Sequence, residues 1–205
     1  MQMRKTYFKP QEKMKTELIL EIIKERWSPC AFSPAPVEEF KLKAMFEAAG
    51  YAPSSNNEQP WIFVYATQQD ATVFSDYLDF LNESNRVWAK EAYALVISMA
   101  RTRYIRNNKI NRYSLHDTGM AVSNMLLQAL AMDVYVHQMG GFSIEKVREY
   151  FNLDESIEPV AVMAVGYMGD GLTLPPELLK RDEQRRGRRS VNDYTFKNSL
   201  SRPAF

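Results

Sequence analysis

Between two prolines, the stretch Ala52-Pro53-Ser54-Ser55-Asn56-Asn57-Glu58-Gln59-Pro60-Trp61 gathers hydroxyls and amides on Ser54, Ser55, Asn56, Asn57 and Gln59. Groups that both donate and accept hydrogen bonds suit a heteroaromatic ring with mixed donors and acceptors along its edge. A proline lacks a backbone donor and pushes the residue before it out of the α region, so the segment is extended or turning. An Asx or Ser turn capping the next element has the same composition. Ligand recognition is favoured by a rigid mount: Trp61-Ile62-Phe63-Val64-Tyr65 opens an apolar strand directly behind the loop.

Arg26, Ser28, Arg186 and Arg188 are of the types that bind phosphate, since guanidinium forks and a hydroxyl match its oxygens in geometry and charge. Taken alone, the basic run from Lys180 to Arg189, with Asp182 and Glu183 embedded, reads equally as solvated surface. His116 and His137 lie far apart and neither has a carboxylate at ligand spacing, so no metal site is expected. The three glycines of Gly166 to Gly171 are not in the order that cradles a pyrophosphate, and no nucleophile-elbow spelling occurs. Arg101 to Tyr113 interleaves basic residues with Tyr104 and Tyr113, a pattern that suits single-stranded nucleic acid. With 26 basic against 25 acidic side chains there is no polyanion field behind it, so a solvated face and no nucleic-acid partner are expected.

The elements that must position these groups follow from periodicity. Met14, Leu18, Ile19, Ile22 and Ile23 recur at helical spacing and predict an amphipathic helix ending near Arg26. Pro29, Pro34 and Pro36 make 27–36 a loop, and a second helix runs from Val37 to Ala48, with Pro36 at its entrance and Gly50 after its last turn. Strands are predicted at 61–67, 93–100, 134–137 and 159–167, and helices at 69–81, 115–132 and 143–151. Residues 82–86 read as a polar connection, Gly140-Gly141 as a turn, and the chain from 169 onward as an irregular charged tail. Ser114 and Asp117 spell a capping box for the long helix. That helix is apolar nearly all round, and Gly119, Ala121 and Ser123 permit close backbone approach, which places it at a dimer interface. The uneven alternation of strands and helices predicts an α+β fold.

At 205 residues the chain suffices for one buried core, and no compositional shift marks a second, so a single domain over 1–205 is expected, with 1–13 a surface arm. The single cysteine, Cys30, excludes an internal disulfide and points to a reducing compartment. No stretch approaches the roughly 20 apolar residues of a membrane span, and the start lacks a signal core, so a cytoplasmic location is expected.

The spelling Ala-Pro-Ser-Ser-x-Asn-x-Gln-Pro-Trp at 52–61 resembles the signature of the nitroreductase family of FMN-dependent oxidoreductases, and the likeness runs from about Leu18 to Phe196. Arg26-Trp27-Ser28-Pro29-Cys30-Ala31-Phe32 resembles the family's opening Arg-x-Ser-x-basic-x-Phe segment. This implies that Arg26 and Ser28, with Trp27 and Cys30 beside them, hold the flavin phosphate and ribityl chain. Asn85-x-x-Trp88 resembles the segment whose asparagine faces the flavin pyrimidine. His137-Gln138-Met139-Gly140-Gly141-Phe142 resembles the strand and turn beside the reactive flavin nitrogen, which implicates Met139, Gly140 and Gly141; glycine suits a place where a ring must approach bare backbone. Arg185-Arg186-Gly187-Arg188-Arg189-Ser190 resembles the C-terminal basic pair that returns to the phosphate, assigned to Arg186 and Arg188. Pro53, Ser54, Ser55, Asn57 and Gln59 would reach the flavin of a partner subunit.

The resemblance thus implies a three-layer sandwich with a central mixed sheet, the long helix at the dimer interface, and 180–205 as a tail reaching the partner. It implies a homodimer with two composite FMN sites, NADH or NADPH as reductant, and a nitroaromatic or quinone acceptor reduced by a ping-pong hydride mechanism. No side chain is assigned a catalytic role, because the flavin carries the chemistry. Cys30 stands where the family often has a basic residue, which removes a charge-assisted bond worth about 1.5–3 kcal/mol unless another arginine covers it. Six basic residues between Lys180 and Arg189 are available for that. A specialised flavin enzyme of the same fold, dehalogenating or flavin-cleaving, and a flavin-binding protein without turnover are the alternatives.

Overall fold

A computed structural model describes residues 18–184 and 186–205; the expected arm at 1–13 lies outside these, as does the start of the first predicted helix. Strands β1 (Trp61–Thr67), β2 (Ala94–Arg101), β3 (Tyr135–Met139) and β4 (Ile157–Gly166) form one sheet in the order β1-β2-β4-β3. All three ladders are antiparallel, which corrects the mixed sheet that the resemblance implied. The cause is in the connections: Thr67 pairs with Ala94, so the chain between β1 and β2 returns to the sheet end it left instead of crossing to the other.

Alternation along the strands sends side chains into two cores. On one face Leu95, Ile97, Met99, Val162 and Ala164 meet α3 (Ala71–Phe80), α4 (Glu83–Ala89) and α6 (Ile144–Phe151) through Phe74, Tyr77, Phe80, Trp88 and Val147. On the other, Ala94, Val96, Met163, Val165 and Val136 meet α2 (Glu39–Gly50) and α5 (Ser114–Leu130) through Leu42, Met45, Ala49, Val122, Met125 and Ala129. Each fully buried large apolar side chain contributes about 1.5–3 kcal/mol. The result is the expected three-layer α+β sandwich.

Three elements differ from the sequence reading. The first helix, α1, covers only Glu21–Glu25 of the described residues. The polar connection at 82–86 is helical: the Asn82 side chain accepts the Asn85 N–H and starts α4. The tail contains α7 (Pro176–Glu183), which opens on a proline in its first turn. The Ser114/Asp117 capping box does not form; α5 starts after Tyr113 without a side-chain cap, because the Asp117 carboxylate is engaged elsewhere.

Candidate functional site

The segment from Arg26 to Ser33 is anchored from two sides. Phe32 bridges Met168 just beyond β4, where Ser33 N–H donates to Tyr167 C=O at 2.9 Å and Gly169 N–H donates to Ala31 C=O at 3.1 Å. A Cβ on Gly169 would stand 2.3 Å from the Phe32 carbonyl oxygen, so only glycine permits this approach. Opposite, buried Asp182 in the last turn of α7 accepts the backbone N–H groups of Cys30 and Ala31 on one oxygen, at 2.5 and 2.9 Å.

Against this mount opens a cavity of about 920 Å³, which falls in the range of small-molecule sites. Arg26, Trp27, Ser28, His137, Arg181, Arg186 and Arg188 line it, and Ile19, Ile23, Val191 and Tyr194 give it an apolar wall. Arg26 donates to Ser28 Oγ at 3.3 Å. Burial and the neighbouring Arg188 charge hold the Arg26 guanidinium below its ordinary pKa. Among the described residues none of Arg26, Arg181, Arg186 and Arg188 has a carboxylate within ion-pair distance. Asp182, the one carboxylate in the wall among the described residues, accepts two backbone amides. A surplus of guanidinium groups around a hydroxyl fits a phosphate ester.

His137 projects from the edge strand β3 into the same cavity. Its Nδ1 donates to Pro29 C=O at 2.7 Å, and its ring packs on Trp88 with centroids 4.5 Å apart. Burial pushes its pKa below the ordinary 6.5, with the Arg181 and Arg26 charges adding to that, against the Pro29 bond and the Asp182 charge. The unfolded chain therefore binds the proton more readily, and stability should fall as pH drops through 6.5 toward the lower folded value. His137→Asn, which keeps a donor for Pro29 without titrating, should flatten the change in urea midpoint between about pH 7.5 and 5.5. An unaltered slope in the variant would contradict this.

The polar loop is a separate construction. Asn56, Asn57 and Gln59 have φ of 55°, 56° and 50°, the left-handed region that asparagine tolerates and glutamine seldom visits. Such backbone persists only where surroundings impose it. Here Ser54 Oγ accepts Gln59 N–H at 3.0 Å, Asp117 accepts Ser55 N–H at 2.9 Å, and Glu58 accepts Ile105 N–H at 2.5 Å. Ser55 Oγ also meets the Tyr104 hydroxyl at 3.3 Å. The 101–113 excursion, expected as a solvated face, thus latches the loop through Tyr104 and Ile105. Asp117→Ala strands the Ser55 amide and should cost about 1–3 kcal/mol, with faster proteolysis within 53–59; a variant as stable and as resistant as the parent would exclude this role. Pro53, Ser54, Ser55, Asn57 and Gln59 do not line the arginine cavity of their own chain.

A third cluster joins Asn85 to Gly141: Asn85 Nδ2 and Asn82 N–H both donate to Gly141 C=O, at 3.1 and 3.0 Å. A Cβ on Gly141 would lie 2.3 Å from Asn82 Nδ2 and 2.9 Å from Asn85 Nδ2, so a side chain there would have to displace the two asparagine amides. Gly140 has open space around its Cα.

The sequence pattern of the Nitroreductase family matches residues 23–167. The chain belongs to the nitroreductase family. A solved structure described as an oxidoreductase containing FMN has 27% identity and a TM-score of 0.85, over 96% of this chain and 100% of that one. A Bacillus subtilis (strain 168) protein provisionally named NAD(P)H nitroreductase YdgI is 24% identical over 191 residues, 77% of this chain and 91% of its own. A nitroreductase family protein from Streptococcus pneumoniae TIGR4, at 18% identity and a TM-score of 0.69 over 87% of this chain and 98% of that one, shares the fold.

This member of the nitroreductase family departs from the sequence expectations at two side chains. Cys30 is fully buried and does not line the cavity; its Sγ contacts Arg181 Nη2 and lies 3.9 Å from His137 Nδ1. Burial first, then the Asp182 charge, pushes its thiol up to about 12, so it stays neutral. Met139 is buried in the core, leaving only its backbone for a ligand. Arg181, Asp182, His137, Asn82 and Tyr104 were not signalled as site residues. The two on α7 lie beyond the stretch that the family pattern matches, and the proline entrance followed by Leu178 and Leu179 was the available sign of that helix.

Proposed function

We propose that the protein is a homodimeric FMN-dependent oxidoreductase that uses NADH or NADPH to reduce electron-poor acceptors of the nitroaromatic or quinone type. The observation that carries this reading is the convergence of Arg26, Ser28, Arg186 and Arg188 on one cavity, with none of these three arginines paired to a carboxylate among the described residues. Family membership and the FMN-containing oxidoreductase that the chain resembles over nearly its full length support it, and the names of relatives supply the nicotinamide reductant. Bound there, FMN would supply two-electron redox chemistry in a ping-pong cycle, accepting from the nicotinamide and giving to the acceptor.

The chain's own part is binding and orientation. The arginines neutralise the phosphate, Asp182 and Gly169 hold the segment that presents Arg26 and Ser28, and Asn85 with Gly141 forms a fixed amide edge. The loop at 53–59 offers its hydroxyls and amides to the cofactor of a second copy. That arrangement rests on two observations: the loop is absent from its own chain's cavity, and α5 leaves a face free with Leu115, Gly119 and Ser123 exposed. Beside that face, Ala44, Ala48, Tyr51, Asn124 and Leu127 line a groove between α2 and α5 that a partner helix would fill. No described helix is long and apolar enough to cross a membrane. A reducing, cytoplasmic setting completes the proposal.

The test is a visible spectrum of protein with FMN before and after anaerobic addition of NADH and of NADPH, followed by a panel of nitroaromatics and quinones. Bleaching by a nicotinamide and recolouring by an acceptor are expected. A protein that ignores FMN, or a complex that neither nicotinamide bleaches, contradicts the reading.

A further inference from the structure

We infer that Arg181 is a further phosphate-binding residue of the cavity, supplying from α7 the positive charge that Cys30 does not; this rests on the FMN reading above. Asp182 is fastened to the backbone N–H groups of Cys30 and Ala31, so the last turn of α7 is fixed against the segment that carries Arg26 and Ser28. The neighbouring residue on that turn, Arg181, is thereby brought to the same cavity, where its Nη2 rests on Cys30 Sγ. A small side chain at position 30 is what leaves room for the guanidinium.

Arg181 is not there to neutralise a carboxylate. It forms no ion pair among the described residues, and Asp182, one residue away, gives its oxygen to backbone amides. A neutral thiol offers no countercharge and engages one of five guanidinium donors. The remaining donors belong to a cavity that already holds Arg26, Arg186 and Arg188, so the assembled charge exceeds what the protein itself compensates. A phosphate monoester is the ligand group that such a set matches, with two strong negative charges and three acceptor oxygens. Two ligands of this enzyme class bear one, FMN at its ribityl end and NADPH at its 2′ position; the cavity that it shares with Arg26 and Ser28 assigns Arg181 to FMN.

The experiment compares FMN with riboflavin, which lacks the phosphate, by fluorescence quenching on the parent protein, Arg181→Ala, Arg181→Gln and the double variant Arg181→Ala/Cys30→Arg. Loss of one charge-assisted contact predicts roughly a 10- to 100-fold rise in the FMN dissociation constant for both single variants, with riboflavin affinity unchanged. The double variant, which moves the charge to position 30, should recover most of the FMN affinity. Equal loss for FMN and riboflavin would mean a structural role and overturn the inference, and so would unchanged FMN affinity in Arg181→Gln. A changed NADPH-over-NADH preference with FMN binding intact would overturn it as well. If the parent protein itself fails to bind FMN, the function proposed above falls and takes this residue's role with it.

Discussion

Trp88→Ala is expected to lower folding stability by about 3–5 kcal/mol, the cost of deleting a large buried ring and leaving its cavity. Trp88 is 1% exposed and stands between two parts of the site. One neighbour is Phe32, stacked at 6.1 Å with 14° between planes, and the other is His137 at 4.5 Å. Its removal therefore does more than thin the core: the anchor segment loses its floor, and the His137 ring gains access to water. Since burial is the largest cause of the lowered His137 pKa, that value should climb back toward 6.5 in the variant. Urea unfolding and an NMR titration of His137 read the two effects together. A loss below about 1 kcal/mol with an unmoved titration would place Trp88 outside this role.

Gly169→Val should be nearly as severe, at about 3 kcal/mol, and for the opposite reason, too much volume in place of too little. The added Cβ would stand 2.3 Å from the Phe32 carbonyl oxygen, 2.5 Å from its carbonyl carbon and 3.0 Å from Ser33 N. These are backbone atoms and cannot swing aside as a side chain would. Relief requires the Phe32–Met168 bridge to open, which frees the segment that presents Arg26 and Ser28. Weaker FMN binding should accompany the lost stability. Gly50→Ala is the control: it closes α2, has nothing within 4 Å of its Cβ and no left-handed φ, so it should be neutral or slightly stabilising. Equal behaviour of the two variants would contradict the close-approach account of Gly169.

How far these features were legible in the sequence depends on how local their causes are. The strand at 61–67 was read with its observed bounds, since an apolar run bounded by Pro60 and a polar turn has one interpretation. Helix α4 was missed because its first turns are polar and only Trp88 and Ala89, at its end, are buried. Helix α7 was missed for a related reason: Asp182 is its one buried residue, and it is there to hold backbone amides. At Asp117 a local rule lost to a distant partner. The capping spelling is correct in form, but the carboxylate serves the Ser55 amide, 62 residues away in sequence. The apolar residues Leu18, Ile19 and Ile23 have the helical spacing that was read, yet they are exposed in this chain.

The site shows the same division. Arg26, Ser28, Arg186 and Arg188 were singled out by residue type, and the fold brings them to one cavity. Cys30 was assigned to that cavity from its place in a motif, and burial takes its side chain elsewhere. Arg181 and His137 become visible only once α7 and β3 are set against the 26–33 segment, a juxtaposition that no spacing encodes.

In the proposed homodimer the arginine cavity of one copy and the 53–59 loop of the other build each cofactor site together. Mixed dimers test it most directly, made from chains with alanine at Arg26 and Arg188 and chains with alanine at Ser54 and Asn57. Each parent variant alone should lose FMN, whereas every mixed dimer should regain one intact site and hence half the FMN content of the unmodified protein. Mixed dimers that stay empty, or an unmodified protein that binds FMN as a monomer, would contradict it.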